Sequence, residues 1–128
     1  MDYPHDGVFT RIKPSPIHGL GVFAILDIKK GTPIFKGDED TETVLVPCSE
    51  ITSLPAPLQE MYEDFCPKIN GNYECPKNFN QMPISWLLND ARGATEPNIE
   101  CRENLIFYAI RDIRANEELL VRYDTYSE

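Results

Sequence analysis

Three short segments of the sequence combine residue types that can bind a ligand. Residues 19–21 read GLG before an apolar segment, where glycines let backbone N–H and C=O groups approach a ligand closely. Asn89 follows the apolar run WLL, and its side chain can anchor a ligand. Tyr123 and Tyr126 end the segment ANEELLVRYDTY. Simpler interpretations remain open at each place: a β-turn, a turn or cap residue, and packing.

Histidine and cysteine chemistry is sparse in this chain. His18 lies in a Pro/Gly-rich loop, where a turn residue is a simpler interpretation than a base. The sequence contains no phosphate-binding GxxxxGK[ST] loop, no HExxH and no GxSxG motif, so most familiar enzyme classes are excluded. The four cysteines, without a CxxC pair or a nearby histidine, are predicted to be reduced thiols and not metal ligands. They are Cys48, Cys66, Cys75 and Cys101.

Length and composition predict one globular domain. The chain has 128 residues, of which 41% are hydrophobic and 26% charged, so we expect a single domain over residues 1–128 with its core at about 8–126. The N-terminus has no basic segment followed by an apolar one, and no apolar run is long enough to span a membrane. These features predict a cytoplasmic protein, or a nuclear one if the source is eukaryotic.

The net charge of −9 indicates which kinds of partner the protein can bind. It argues against binding to a phosphate backbone and favours a basic partner such as a Lys-rich tail. An acidic surface that only improves solubility is the alternative interpretation.

The elements that must position the three segments are mostly short strands. Residues 55–65 are the exception, because Leu58, Met61, Tyr62 and Phe65 form one helical stripe between prolines. Residues 66–82 are predicted to be a loop, and ISWLLND (84–90) a helical turn. The predicted strands are 8–13, 22–26, 32–37, 43–46, 99–102, 105–110 and 118–123, with a hairpin turn at Glu103-Asn104. The fold class is therefore mainly β (α+β) with one main helix.

Two stretches of the chain echo each other. Residues 23–31 read FAILDIKKG and residues 108–116 read YAIRDIRAN. Because their flanking sequences do not repeat, we interpret them not as an inherited duplication but as two strands that each end in an Asp-Ile step and a basic turn.

In their order along the chain, these segments resemble a SET domain, the fold of the protein lysine methyltransferases. The family's Gly-x-Gly, Val-Phe-Ala opening is similar to HGLGVFAILDIKKG (18–31). Its Asn-His-Ser-x-x-Pro-Asn segment corresponds to NDARGATEPN (89–98), and its strand-turn-strand before a tyrosine to YAIRDIRANEELLVRY (108–123). The resemblance covers about residues 8–126. It implies a β-clip of short strands with a C-terminal pseudoknot that brings the distant motifs together.

The resemblance also implies a cofactor, S-adenosylmethionine, and a site for it. Tyr123 falls on the family's catalytic tyrosine, and Tyr126 is a candidate lid over the adenine. The remaining residues expected to contact the cofactor are Leu20, Gly21, Val22, Asn89 and Asp90.

A methyl acceptor must be a neutral amine. Free lysine has a pKa near 10.4, so presenting it neutral at about pH 7.4 costs about 4 kcal/mol, which an apolar channel lowers. Phe35, Cys101 and Tyr108 are expected to line that channel, together with Tyr123. Phe107 is a further candidate, although core packing explains it better.

Several positions depart from the family pattern. Asp90 replaces the family's histidine, Ala91 its serine, and Pro97 follows Asn89 at a longer distance, so this loop carries an insertion or the anchor has degraded. The family's C-terminal zinc segment is also missing, and Tyr126 or a partner in a homodimer is expected to take its place. We therefore predict methyl transfer to a lysine of a basic protein. The alternatives are a SET-fold binding module without catalysis and an unrelated β-rich interaction protein.

Overall fold

The computed structural model describes residues 3–93 and 95–127, and only the backbone of Asn104. Met1, Asp2, Ala94 and Glu128, which belong to the predicted domain, lie outside the described residues. The strands are β1 (Thr10–Pro14), β2 (Leu20–Ala24), β3 (Thr43–Pro47), β4 (Lys68–Ile69), β5 (Asn72–Pro76), β6 (Asn89–Asp90), β7 (Ile99–Cys101), β8 (Phe107–Ala109) and β9 (Leu120–Val121). The α-helices are α1 (Cys48–Ile51) and α2 (Ala56–Phe65). No described helix is both long and apolar enough to cross a membrane.

The first two strands form an antiparallel hairpin. Thr10 pairs with Ala24 at one end and Pro14 with Leu20 at the other. The loop between them closes through the Ser15 N–H, which donates to the Gly19 carbonyl at 2.8 Å. The predicted strands 8–13 and 22–26 are thus confirmed, with bounds that differ by one or two residues.

The two similar stretches, 23–31 and 108–116, pair with each other, and their contacts are related by a local twofold symmetry. Ile28 and Ile113 exchange two backbone hydrogen bonds of 2.7 Å. The Asp27 carboxylate accepts the Ala115 N–H at 2.9 Å, and the Asp112 carboxylate accepts the Lys30 N–H at 2.8 Å. The shared Asp-Ile step therefore satisfies the backbone donors of the opposite turn.

Residues 66–82, predicted to be a loop, instead contain a hairpin, so that prediction was wrong. Strands β4 and β5 are joined by Asn70-Gly71, which have φ of 52° and 79° and so match the two-residue turn that suits a hairpin. Strand β5 pairs with β3 on its other side. Helix α2 is confirmed as predicted and contacts β5.

The prediction of a strand over residues 32–37 is also wrong. This segment contains only a single bridge between Pro33 and Tyr108, because proline lacks an N–H to continue a ladder. Gly37 then adopts a φ of 95° and begins the 3-10 turn Asp38–Asp40.

The C-terminal segment lies between distant parts of the chain. Strand β9 pairs in parallel with β6, and the Leu119 N–H donates to the Val22 carbonyl at 2.7 Å, next to a bridge between Phe23 and Glu118. The predicted hairpin 99–110 is confirmed as β7 and β8. The main core consists of Val22, Ala24, Ile28, Ile34, Leu88, Ile99, Phe107, Ala109, Ile113, Leu119 and Val121. A second cluster contains Ile51, Cys66, Tyr73 and Cys75 under α2.

Candidate active site

A hydrogen-bond network centred on Asn89 ties the N-terminal loop to the C-terminal segment. The buried Asn89 Nδ2 donates towards the carbonyls of His18 and Leu20, both at 3.1 Å, and Glu118 Oε2 at 2.9 Å. Because an amide group has two hydrogens, three acceptors share them. The Ser15 hydroxyl binds the same Glu118 carboxylate at 2.8 Å. The backbone of the GLG loop is thus held in place by a side chain from β6.

A glycine is required at position 21 because the side chains of Glu118 and Asn89 lie close to its backbone. A Cβ atom on Gly21 would lie 2.2 Å from Glu118 Oε2 and 3.1 Å from Asn89 Nδ2. No side chain therefore fits at this position while Glu118 keeps its partners.

Asn98 holds the same C-terminal segment from the other side. Its Oδ1 accepts the Leu120 N–H at 2.8 Å, and its Nδ2 donates to the Glu118 carbonyl at 2.8 Å. The residue is 2% exposed, and both polar atoms of its side chain have a partner. Sequence reasoning noted Pro97-Asn98 but did not assign Asn98 to the site.

Tyr123 is anchored at both ends. Its N–H donates to Asp90 Oδ1 at 2.7 Å, and its hydroxyl donates to the Leu88 carbonyl. Burial, followed by the nearby Asp90 carboxylate, raises the pKa of Tyr123 to about 12. The phenol is therefore neutral and keeps its proton near pH 7.

Tyr126 completes an aromatic cluster with Tyr123 and Phe107. Its ring meets theirs edge to face, with centroid distances of 6.2 and 5.8 Å. Burial raises the pKa of Tyr126 as well.

Two cavities meet at these residues. The first, which we call the loop cavity, measures about 400 Å³ and is bordered by His18, Gly19, Leu20, Asn89 and Arg92. The second, the acidic cavity, measures about 340 Å³ and carries Asp38, Glu39, Glu63, Asp64 and Glu74. Both cavities are lined by Glu63, Asp64, Phe65, Trp86, Leu88 and Tyr123, which form a shared wall.

The charged side chains that line the acidic cavity all carry the same sign of charge. Five carboxylates line it, and no basic side chain among the described residues does. Burial raises the pKa of Asp38, although a hydrogen bond from Ser85 opposes the shift. Such a lining attracts cations and repels anions.

The predicted site residues divide between these places. Leu20, Asn89 and Tyr123 line the loop cavity, whereas Tyr126 lines the acidic cavity. Gly21, Val22 and Asp90 line neither cavity. Asp90 contacts a cavity residue, because its carboxylate accepts the Tyr123 N–H.

Phe35, Cys101 and Tyr108, the predicted channel residues, line neither cavity. Phe35 packs edge to face on Phe107, and the Arg102 guanidinium lies 4.2 Å from the centroid of the Tyr108 ring. Burial raises the pKa of the Cys101 thiol to about 12. Their role as channel walls stays a prediction.

Sequence reasoning missed most of the shared wall. Phe65 was assigned only to the helical stripe, and Trp86 and Leu88 only to an apolar run. Trp86 lies in the 3-10 turn Ile84–Leu87, which ends two residues before Asn89, so its proximity in sequence to the proposed anchor was the available signal.

Comparisons with known proteins find a family model and solved structures that are similar to this chain. The family model for the SET domain matches residues 19–124. A crystal structure of a putative histone methyltransferase from Plasmodium falciparum is similar at 24% identity and a TM-score of 0.59, covering 91% of this chain and 93% of that one.

A second similar structure is a humanized mutant of the Chaetomium thermophilum Polycomb Repressive Complex 2 bound to the inhibitor GSK126. The identity is 22% and the TM-score 0.59, with 94% of this chain covered but only 16% of the other. At these identities the likeness to solved structures concerns the fold. No curated protein sequence matches the chain.

Proposed function

Since the chain belongs to the SET-domain family, whose model spans residues 19–124, we propose that it transfers a methyl group from S-adenosylmethionine to a lysine side chain of a basic protein. One observation carries the proposal. The loop cavity and the acidic cavity share a wall at Tyr123, so a cofactor in one and a cationic side chain in the other would meet there.

The residues of the loop cavity suit this cofactor. Its volume of about 400 Å³ lies in the range of small-ligand sites. Backbone at Gly19 and Leu20 can lie against the ligand, Arg92 can pair with a carboxylate, and Glu63 and Asp64 can pair with an ammonium group. S-adenosylmethionine, when bound, supplies an electrophilic methyl group on a sulfonium.

The acidic cavity suits a basic segment. Its five carboxylates raise the local concentration of cationic side chains, and the effect falls as salt is added. The protein as a whole carries a net charge of −9, so the long-range field has the same sign.

The apolar side chains of the shared wall lower the cost of a neutral amine, whereas Glu63 and Asp64 in the same wall favour the charged form. Phe65, Trp86 and Leu88 present apolar surface, which disfavours the ammonium form of a lysine placed between the cavities. Beside these three side chains the lysine gives its proton to solvent more readily before transfer.

Tyr123 positions the amine and does not remove its proton. Because burial raises its pKa to about 12, the hydroxyl keeps its own proton and donates it to the Leu88 carbonyl. Its oxygen is then free to accept an N–H of the lysine, which aims the nitrogen lone pair at the methyl group.

The Asp90 substitution is compatible with activity. Its carboxylate accepts the Tyr123 N–H at 2.7 Å, so the loop with the longer spacing still holds the tyrosine. This contact favours the enzyme over a SET-fold module that binds without turnover.

Cofactor binding is tested by calorimetry and by the fluorescence of Trp86, the one tryptophan, which lies in the shared wall. Transfer is tested with labelled S-adenosylmethionine and a Lys-rich polypeptide. We expect Tyr123→Phe to lower kcat by about 100-fold or more, while Tyr3→Phe, at an exposed residue outside both cavities, leaves it unchanged. Absence of both binding and transfer would overturn the proposal, and binding without transfer would select the non-catalytic module.

A further inference from the structure

Two cysteines that are separated in sequence face each other in the second hydrophobic cluster. Cys66 follows α2, and its N–H donates to the Tyr62 carbonyl at 3.0 Å. Cys75 lies in β5. They are 6% and 2% exposed, and each thiol lies near enough to shift the pKa of the other.

The strand register places this pair where a disulfide can form. In the β4–β5 hairpin, Lys68 pairs with Tyr73, and the Glu74 N–H donates to the Pro67 carbonyl at 2.9 Å. Hydrogen-bonded and non-hydrogen-bonded pairs alternate in an antiparallel ladder, so the next pair, Cys66 with Cys75, is non-hydrogen-bonded. Such pairs have Cα atoms about 4.5 Å apart, within the range of about 4.4–6.8 Å that a disulfide spans.

We propose that Cys66 and Cys75 are a site of reversible oxidation to a disulfide by hydrogen peroxide or a similar small oxidant. Two S–H bonds and the O–O bond break, one S–S bond forms, and two water molecules leave. The two sulfurs give up two electrons, and the two peroxide oxygens take them. A dithiol reductant reverses the step by exchange.

The acidic cavity gives the oxidant its path. Cys66 lines that cavity, and Cys75 does not. The nearby Cys66 thiol lowers the pKa of the Cys75 thiol, although burial opposes this, so Cys75 is the more readily ionised sulfur.

Neither of the other cysteines competes for this bond. The Cys48 N–H donates to the Gly71 carbonyl, so Cys48 lies beside the turn of the hairpin, about four residues or 13 Å along β5 from Cys75. Cys101 packs against the main core and not against this cluster.

The disulfide would fasten the end of α2 to β5. Glu63, Asp64 and Phe65, in the last turn of α2, line both cavities, and Glu74 in β5 lines the acidic one. Oxidation would therefore rigidify the shared wall. The inference stands on the hairpin geometry and is independent of the proposed activity.

The experiment uses the full chain, treated with hydrogen peroxide, quenched, unfolded and alkylated. All four cysteines are free in the reduced protein, so we expect the number of alkylated thiols to fall from four to two and to return to four with dithiothreitol. A C48S/C101S variant locates the bond, because trypsin cleaves after Lys68 and leaves residues 37–68 linked to residues 69–77. Its intact mass should fall by two hydrogen atoms.

Cys66→Ser is the matched control and should show no intramolecular link. Oxidation should also raise the Tm of the wild type by several degrees, about 5–10 °C, and not that of Cys66→Ser. Two outcomes would overturn the proposal: four alkylatable thiols after peroxide, or a linkage through Cys48 or Cys101 in place of the Cys66–Cys75 pair.

Discussion

The contact between Gly21 and Glu118 gives a quantitative test of how the GLG loop is held. In Gly21→Ala, the new methyl group would lie 2.2 Å from Glu118 Oε2, so the carboxylate must move by about 1 Å to reach ordinary contact. Glu118 cannot move without giving up its bonds from Ser15 at 2.8 Å or Asn89 at 2.9 Å.

The expected cost follows from those bonds. A hydrogen bond to a charged group contributes about 1.5–3 kcal/mol, and the displacement removes one bond and weakens the other, which gives about 2–4 kcal/mol. Gly21 has no positive φ, so alanine by itself should stabilise the fold by about 0.4–1 kcal/mol through the unfolded chain. We therefore expect Gly21→Ala to destabilise the wild type by about 1–3.5 kcal/mol, and to be neutral or stabilising in a Glu118→Ala background.

A double-mutant cycle measures this coupling from urea unfolding, followed by Trp86 fluorescence and far-UV circular dichroism. Gly31→Ala is the control: it has a φ of +89° and open space around it, so its backbone cost of about 1–2 kcal/mol should be the same with and without Glu118. Additive effects of Gly21→Ala and Glu118→Ala, within about 0.5 kcal/mol, would refute the steric reasoning.

Three further predictions concern ionisation and packing. In an ultraviolet titration the wild type should contain a phenol that ionises near pH 12 and is absent from Tyr123→Phe. Because the pKa of Tyr123 is raised in the folded protein, the free energy of unfolding that depends on its proton is complete below about pH 10 and is lost as the pH rises towards 12. Burial raises the pKa of Asp38 above 3.8, so its charge lowers stability above that pH: Asp38→Asn should raise Tm at about pH 7 and have little effect at about pH 3, and equal effects at both would contradict this. Leu119→Ala, at a residue with 0% exposure, should cost about 2–5 kcal/mol in urea unfolding, against less than about 0.5 kcal/mol for Leu45→Ala at 62% exposure.

Local signals in the sequence predicted the elements well wherever neighbours along the chain determine them. The stripe of α2 and the β7–β8 hairpin are examples. The missed β4–β5 hairpin also had a local signal, because Asn70-Gly71 is the dipeptide that favours a two-residue hairpin turn. The general polarity of residues 66–82 concealed it.

Tertiary pairings had no such signal. Nothing in FAILDIKKG or YAIRDIRAN shows that Asp27 accepts a bond from Ala115, since the two residues are 88 positions apart. The ordered resemblance to a known family predicted the meeting of the GLG loop, Asn89 and Tyr123, but not which side chains line the cavities. Phe65 and Trp86 reach the shared wall only through the packing of α2 and of the 3-10 turn Ile84–Leu87.

The position of the C-terminal segment has a consequence for how the chain folds. Leu119 and Val121 belong to the main core, and the bonds between the Asp27 and Asp112 turns close loops of 82 and 88 residues. Closing loops of this length is slow, because the chain must lose conformational entropy to close each loop before it gains the core contacts. During synthesis the core therefore stays incomplete until residues 117–121 have left the ribosome, and until then the apolar face of β2 is exposed to chaperones and to other nascent chains.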